Sequence, residues 1–245
     1  MYGAGASVQE MVVAVFRIDQ AVFELFPKAR FAAVVARGVN NQDENPAISD
    51  LLDESVQQIR EQFDGGDPKS DPRIAVWREA FGARGWTPSK YLSSIEALVR
   101  RIAKGGEMPR ISPAVDLANS VSLSLLVPIG AHDLGTAPND IEVRLADPED
   151  CFRPMGDAPD ETPDEGEIVY VHDHDVRTRR WVWRQSRTGL VSPRTTDFLF
   201  PIDGFAPVTD HAIGDAAERL ARLVPELLGG QATVYHLDAS QRSAG

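Results

Sequence analysis

One cysteine in 245 residues, Cys151, leaves no partner for an internal disulfide. The fold must therefore stand on its core, and a reducing cytoplasm is the expected setting. Long apolar runs are missing too: none approaches the ~20 residues that a membrane-spanning helix needs. The opening Met-Tyr-Gly-Ala-Gly-Ala-Ser lacks the basic and apolar regions of a secretory signal. No Walker phosphate loop, G-x-G-x-x-G, G-x-S-x-G or H-E-x-x-H occurs, so the common phosphate, dinucleotide, serine-hydrolase and zinc-protease signals are absent. Bases are short as well, 25 against 37 acids, and the net charge of −12 argues against bulk attraction to DNA or any other nucleic acid.

What is present is unevenly placed. Arg73, Arg78, Arg84, Lys90, Arg100, Arg101, Lys104 and Arg110 face only three acids in their stretch, and five arginines lie between Arg177 and Arg187 with no acid among them. Nine acids crowd Asp147 to Glu167 against the single base Arg153. Solvated faces and a charged surface loop explain such clusters, and so do basic surfaces for an anionic partner.

Between the basic segments lies S-P-A-V-D-L-A-N-S-V-S-L-S-L-L-V-P-I-G-A-H-D-L, from Ser112 to Leu134. Ser112-Pro113 is a helix-start pattern, a side-chain cap and a residue pre-set for the first turn. At helical spacing Ala114, Leu117, Ala118, Val121 and Leu125 share one side, while Asp116, Asn119, Ser120 and Ser124 share the other, with Ser122 at its margin. A solvated face normally carries long charged residues, so this one is expected to look into another layer or a polar cavity.

The remaining chain supplies expected strands at Met11–Ile18, Phe31–Arg37, Ile141–Ala146, Ile168–Val171, Arg180–Gln185, Phe198–Ile202 and Ala232–Leu237. Helices are expected over Ala47–Phe63, from Asp71-Pro72, from Thr87-Pro88 and over Ile213–Leu228. Asp147 to Glu165 reads as a long surface excursion. Strands and helices come in blocks, which favours α+β with a curved sheet or partial barrel, as one domain over 1–245.

Three groups of residues offer chemistry. His172-Asp-His174-Asp175 suits an exposed turn better than a metal centre, which needs further ligands, so no metal is expected. His132-Asp133 reads either as a general base or ester-orienting group or as a satisfied structural pair. Arg179-Arg180-Trp181-Val182-Trp183-Arg184-Gln185, read as a strand, points Arg180 and Arg184 one way and Trp181 and Trp183 the other. That is either a core strand with solvated arginines or an arginine face with an aromatic edge for stacking.

The run V-D-L-A-N-S-V-S-L…V-P-I-G-A-H-D-L resembles the V-D-V-T-N…Q-P-x-H-A-F-D-L signature of the B3/B4 tRNA-binding and editing domain of the phenylalanyl-tRNA synthetase beta subunit. P-S-K-Y-L-S-S-I-E-A-L-V-R-R-I, G-E-I-V-Y and R-R-W-V-W-R-Q resemble free-standing proteins made of that module, over about residues 71–205. The resemblance implies an α+β fold that holds the 3′ end of a charged tRNA in the cytoplasm and hydrolyses the ester of a wrong amino acid, without a cofactor. It implies Asn119 and His132 as catalytic residues and Asp116, Gly130, Arg180, Trp183 and Arg184 as substrate-binding residues. Arg84, Lys90, Arg100, Arg101 and Lys104 would hold the tRNA. Gly130 stands where the signature has its histidine, with His132 two residues on. The carboxylate that reads a tyrosine hydroxyl falls near Pro201, and Asp203 is the first acid beyond it. A non-catalytic module binding RNA, an amino acid or a nucleotide is the alternative.

Overall fold

The structure, a computed structural model, describes residues 15–137 and 139–245. Along the chain run β1 (Phe16–Ile18), α1 (Gln20–Leu25), β2 (Ala29–Arg37), α2 (Pro46–Gln62), α3 (Pro72–Ala83), α4 (Ser94–Ala103) and α5 (Pro113–Leu125). A mainly stranded part follows: β3 (His132–Asp133), β4 (Ile141–Leu145), β5 (Cys151–Phe152), β6 (Ile168–His172), β7 (Asp175–Arg179), β8 (Arg184–Gln185) and β9 (Phe198–Phe205). Then come α6 (Asp210–Leu228), β10 (Gln231–Leu237) and β11 (Ser243–Ala244). Residues 11–14 of the expected first strand lie outside the described residues. Among the described residues no helix is long and apolar enough to cross a membrane.

The strands form two open sheets rather than a closed barrel, in an α+β arrangement. One has the order β11-β1-β4-β6-β7-β5, with β8 also on β7; the other is β10-β2-β9-β3. The alternation of β2 explains how the layers meet. Phe31, Ala33 and Val35 pack into the core shared with β4, β6 and α3, while Ala32, Val34 and Ala36 pack into the core shared with α5 and α6. A strand buried on both faces reads as a continuous apolar run, as β2 does. β9 follows the same rule: Leu199 and Phe205 join the first core, Phe198, Phe200 and Ile202 the second. Pro201 and Asp203 therefore project towards the other sheet.

Helix α5 starts where Ser112-Pro113 predicts, but Ser112 makes no capping hydrogen bond. The Ala114 amide donates instead to Asn41 Oδ1, at 2.9 Å. The polar face of α5 divides: Asp116 and Asn119 line grooves, while Ser120 and Ser124 are satisfied among the helices. Ser120 and Ser124 donate back to the Leu117 and Val121 carbonyls, and Ser55 of α2 donates to the Ser120 carbonyl at 3.0 Å. Small side chains satisfied within their own helix let a neighbouring helix approach closely.

Two other expectations change. The helix expected from Thr87-Pro88 begins only at Ser94, because Ser93 caps it and residues 87–91 turn to set Tyr91 against Trp183. Of the strand expected over Arg180–Gln185 only Arg184–Gln185 pairs, as β8; residues 180–183 are the turn that joins it to β7, with Arg180 and Trp181 at φ 44° and 64°. Left-handed backbone costs ~1–2 kcal/mol per residue, and here burial compensates: Trp181 is fully enclosed by Phe26, Phe31, Trp77 and Phe205. The acidic excursion likewise is tied down, through β5, a bridge between Phe152 and Glu161, and a set of ion pairs to the arginines of β7 and the turn.

Candidate functional site

A chamber of about 180 Å³ opens between the two sheets. Its wall is His132 from β3, Pro201 and Asp203 from β9, Tyr170 and Thr178 from β6 and β7, and Trp181, Trp183 and Arg184 from the turn and β8. Ile129, Gly130, Trp183 and Gln185 also line a wider groove of about 480 Å³, so the two adjoin. Asn119 of α5 and Ala97 and Leu98 of α4 line the groove, with the exposed Ile111 and Met155 at its edge. A cavity of ~150 Å³ holds a benzene ring. The chamber is thus sized for one side chain or ring, the groove for what that group is attached to.

Asp203 is the residue that the sequence reading passed over as a site residue. It is 2% exposed, and its Oδ1 accepts from the Tyr170 hydroxyl at 2.5 Å and the Trp181 indole N–H at 3.0 Å. Burial pushes its carboxyl up to about 7, against the lowering effect of those two donors. Its signal in the sequence is a lone carboxylate inside the apolar run Phe198–Phe205. A buried charge without a counter-ion is costly, so such a residue is a functional candidate.

His132 sits beside it on the chamber wall, with its ring stacked on Tyr170 at 5.5 Å. It is 3% exposed, and its Nδ1 has no hydrogen-bond partner among the described residues. Burial, helped by the nearby Arg177 charge, drives its pKa down to about 3. The imidazole is therefore neutral at physiological pH. It is not paired with Asp133, whose carboxylate accepts from Thr195 Oγ1 and the Gly135 amide. Gly130 gives the ring room: a Cβ there would lie 3.1 Å from Pro201 and 3.3 Å from His132 Nε2.

The other expected residues divide. Trp183 and Arg184 line the chamber, though Arg184 also reaches Glu161 at 3.2 Å. Arg180 lines neither space: it is buried, ion-paired to Asp164, and stacked over Tyr91 at 4.0 Å. A phosphate-gripping Arg180 is thus replaced by one that locks the turn. Asp116 faces a separate groove, where its Oδ1 accepts from the Ile111 amide. Arg84 donates to the Gly166 carbonyl, and Arg100 is 3.5 Å from the buried Glu96. Lys90, Arg101 and Lys104 are exposed. Ala97, Arg101 and Lys104 share one face of α4 and its end by helical spacing, which carries positive charge down from the groove. Donor atoms of Asp147, Glu149 and His174 lie within 4.8 Å of one another on the surface, away from both cavities.

Chemically, the chamber offers a neutral imidazole and a carboxyl group that both donates and accepts near neutrality. That suits recognition of an uncharged polar group and the holding of a water. His132 is too weak a base for efficient proton abstraction at pH 7, whereas a group titrating near 7 is well matched to it.

No curated protein sequence matches the chain. Among solved structures, an N-terminal fragment of the phenylalanyl-tRNA synthetase beta-subunit from Pyrococcus horikoshii is similar over 91% of this chain, at 12% identity and a TM-score of 0.45. The chain spans 53% of that structure's length. A profile of the B3/4 domain matches residues 76–234, which runs past the expected end at 205 through α6 into β10. With well over half of its length matched, the chain belongs to the B3/4 domain family.

Proposed function

We propose that this protein binds the 3′ end of aminoacylated tRNA in the cytoplasm and hydrolyses the ester of a wrongly attached amino acid in trans. The observation that carries the reading is the stepped cavity: a chamber of side-chain size lined by Asp203 and His132, sharing a wall with a groove lined by Asn119. The amino-acid side chain enters the chamber and meets the Asp203 carboxyl. The ester lies at the step, near Gly130, where Asn119 orients it and neutral His132 holds the attacking water. An aminoacyl ester is already activated, so placing a water and polarising the carbonyl suffices. Arg101 and Lys104, and Lys90 on the preceding turn, supply positive charge for the acceptor strand.

A panel of misacylated tRNAs with protein in large excess tests this. At least one ester is expected to hydrolyse well above the buffer rate, and Asn119→Ala to slow it by ~10-fold or more, as loss of an orienting group does. No hydrolysis on any ester would sink the catalytic reading. A second reading, a binding module without turnover, is favoured by one observation: among the described residues His132 Nδ1 has no hydrogen-bond partner to orient the ring. It requires charged tRNA to bind equally well after His132→Gln, with no ester cleaved by either protein.

A further inference from the structure

The chamber between the sheets holds a buried acid with no counter-ion. Both donors to Asp203, the Tyr170 hydroxyl and the Trp181 indole N–H, act on one oxygen, Oδ1. The other oxygen, Oδ2, makes no hydrogen bond among the described residues and is left to the chamber that Asp203 lines. Burial opposes ionisation of this carboxyl and the two donors help it, with no cation acting on it. The other ionisable groups on the chamber wall do not fill that place. His132 is neutral, and burial beside Asp203 holds the Tyr170 phenol above its ordinary range. Arg184 is committed elsewhere: about one-third exposed, it donates to Glu161 and lies over the Phe152 ring at 5.4 Å.

An uncharged polar group satisfies Oδ2 while the carboxyl keeps its proton. The ionised form asks for more, because a buried charge is costly until an opposite charge joins it. Two fixed donors on Oδ1 already favour that form. A cation arriving at Oδ2 completes it, and the carboxyl proton leaves to solvent. An acidic side chain is excluded by the same charge. Geometry then chooses among cations. A guanidinium grips a carboxylate best through two parallel bonds, one to each oxygen, and Oδ1 is already occupied. An ammonium is a compact point charge that needs only one carboxylate oxygen. Ile129, Pro201 and the indoles of Trp181 and Trp183 supply apolar walls for the methylene stem behind it.

We propose that the chamber selects a cationic side chain of the lysine type, its ammonium seated on Asp203 Oδ2 and its stem against the tryptophans. The proposal rests on the reading of the stepped cavity as the site of an aminoacyl ester, and it names the class of amino acid that the ester carries. Asp203 is then the residue that sets specificity.

Calorimetry with 3′-aminoacylamino-3′-deoxyadenosines tests this, since their amide bond replaces the labile ester. The lysyl compound is compared with an isostere in which a methyl group replaces the ammonium, and with the arginyl and tyrosyl compounds. At pH 8 the lysyl compound is expected to bind at least about tenfold more tightly than each of the others, the scale of a desolvated charge pair. With the Asp203 carboxyl at about 7, the preference over the isostere is expected to shrink about tenfold from pH 8 to pH 6. The α-amino group is common to both compounds and cancels. Asp203→Asn is expected to abolish the preference, and the wild-type pH dependence carries the test if that variant does not fold. An isosteric, arginyl or tyrosyl compound bound as tightly as the lysyl one would overturn the proposal. So would a preference that is constant over that pH range, one that survives in folded Asp203→Asn, or no binding of the lysyl compound. The two readings separate. A lysyl preference with no ester cleaved leaves the cation pocket standing and removes the deacylase. Cleavage of some other ester, without a lysyl preference, does the reverse.

Discussion

Arg179→Ala is expected to destabilise the fold by about 3–5 kcal/mol, the cost of leaving a buried charge without its partner. Its Nε and Nη2 donate to both oxygens of Glu167, at 2.9 and 2.7 Å, and its Nη1 donates to Glu161. The Glu167 side chain is fully buried, and with Arg179 gone it keeps the Arg180 and Asp164 amides as donors but no cation nearer than a guanidinium 3.6 Å away among the described residues. Arg184→Ala is the contrasting case. Arg184 and Glu161 are both about one-third exposed, at 35% and 34%, so that pair contributes under ~1 kcal/mol. Replacing Arg179 and Glu167 together by Met and Leu is expected to recover much of the loss, because the penalty belongs to the unpaired charge. Urea unfolding of the three variants measures this. A single-variant loss under ~1 kcal/mol, or a double variant as unstable as Arg179→Ala, would refute the argument. The consequence reaches the site, because this ion pair anchors the turn that presents Trp181 and Trp183 to the chamber.

That same network marks where the sequence stops being legible. The segregation of nine acids in Asp147–Glu167 from the arginines of Arg177–Arg187 is visible at once. Composition does not say that the two segments neutralise each other, and the arginines read equally well as a free basic face. Pattern succeeds where the cause is local and periodic. β2 and β9 are continuous apolar runs because both their faces are buried, and α2, α5 and α6 keep their helical spacing. It fails where a distant residue intervenes. Asn41, 73 positions away, caps α5 in place of Ser112, and the Trp181 turn adopts backbone that only its tertiary burial supports. The site divides in the same way. His132 and Asn119 stand in a recognisable run, whereas Asp203 becomes a site residue only once β9 lies beside Tyr170 and Trp181.

Asp203 and His132 are expected to give folding stability two opposed pH dependences across the same window. The Asp203 carboxyl stands at about 7 in the fold against an ordinary 3.8. Its contribution is fully present below 3.8 and is lost as pH rises through 7, because the folded chain keeps a proton that the unfolded chain releases. His132 stands at about 3 against 6.5, so its contribution is present above 6.5 and is lost as pH falls towards 3. At 1.36 kcal/mol per pH unit, the two amount to ~4 and ~5 kcal/mol. Between pH 4 and 7 they largely cancel in the wild type. Single variants separate them. Asp203→Asn keeps an oxygen for the Tyr170 and Trp181 donors, and its stability relative to wild type is expected to rise by up to ~4 kcal/mol between pH 4 and 8. For His132→Gln the difference from wild type is expected to grow in the variant's favour as pH falls from 7 to 4. Denaturant unfolding at several pH values measures both, and comparison with wild type cancels every other titrating group. Profiles parallel to wild type within ~1 kcal/mol over that range would overturn the assignment. If the slopes hold, the chamber at neutral pH presents a neutral imidazole and a carboxyl group caught between its two forms.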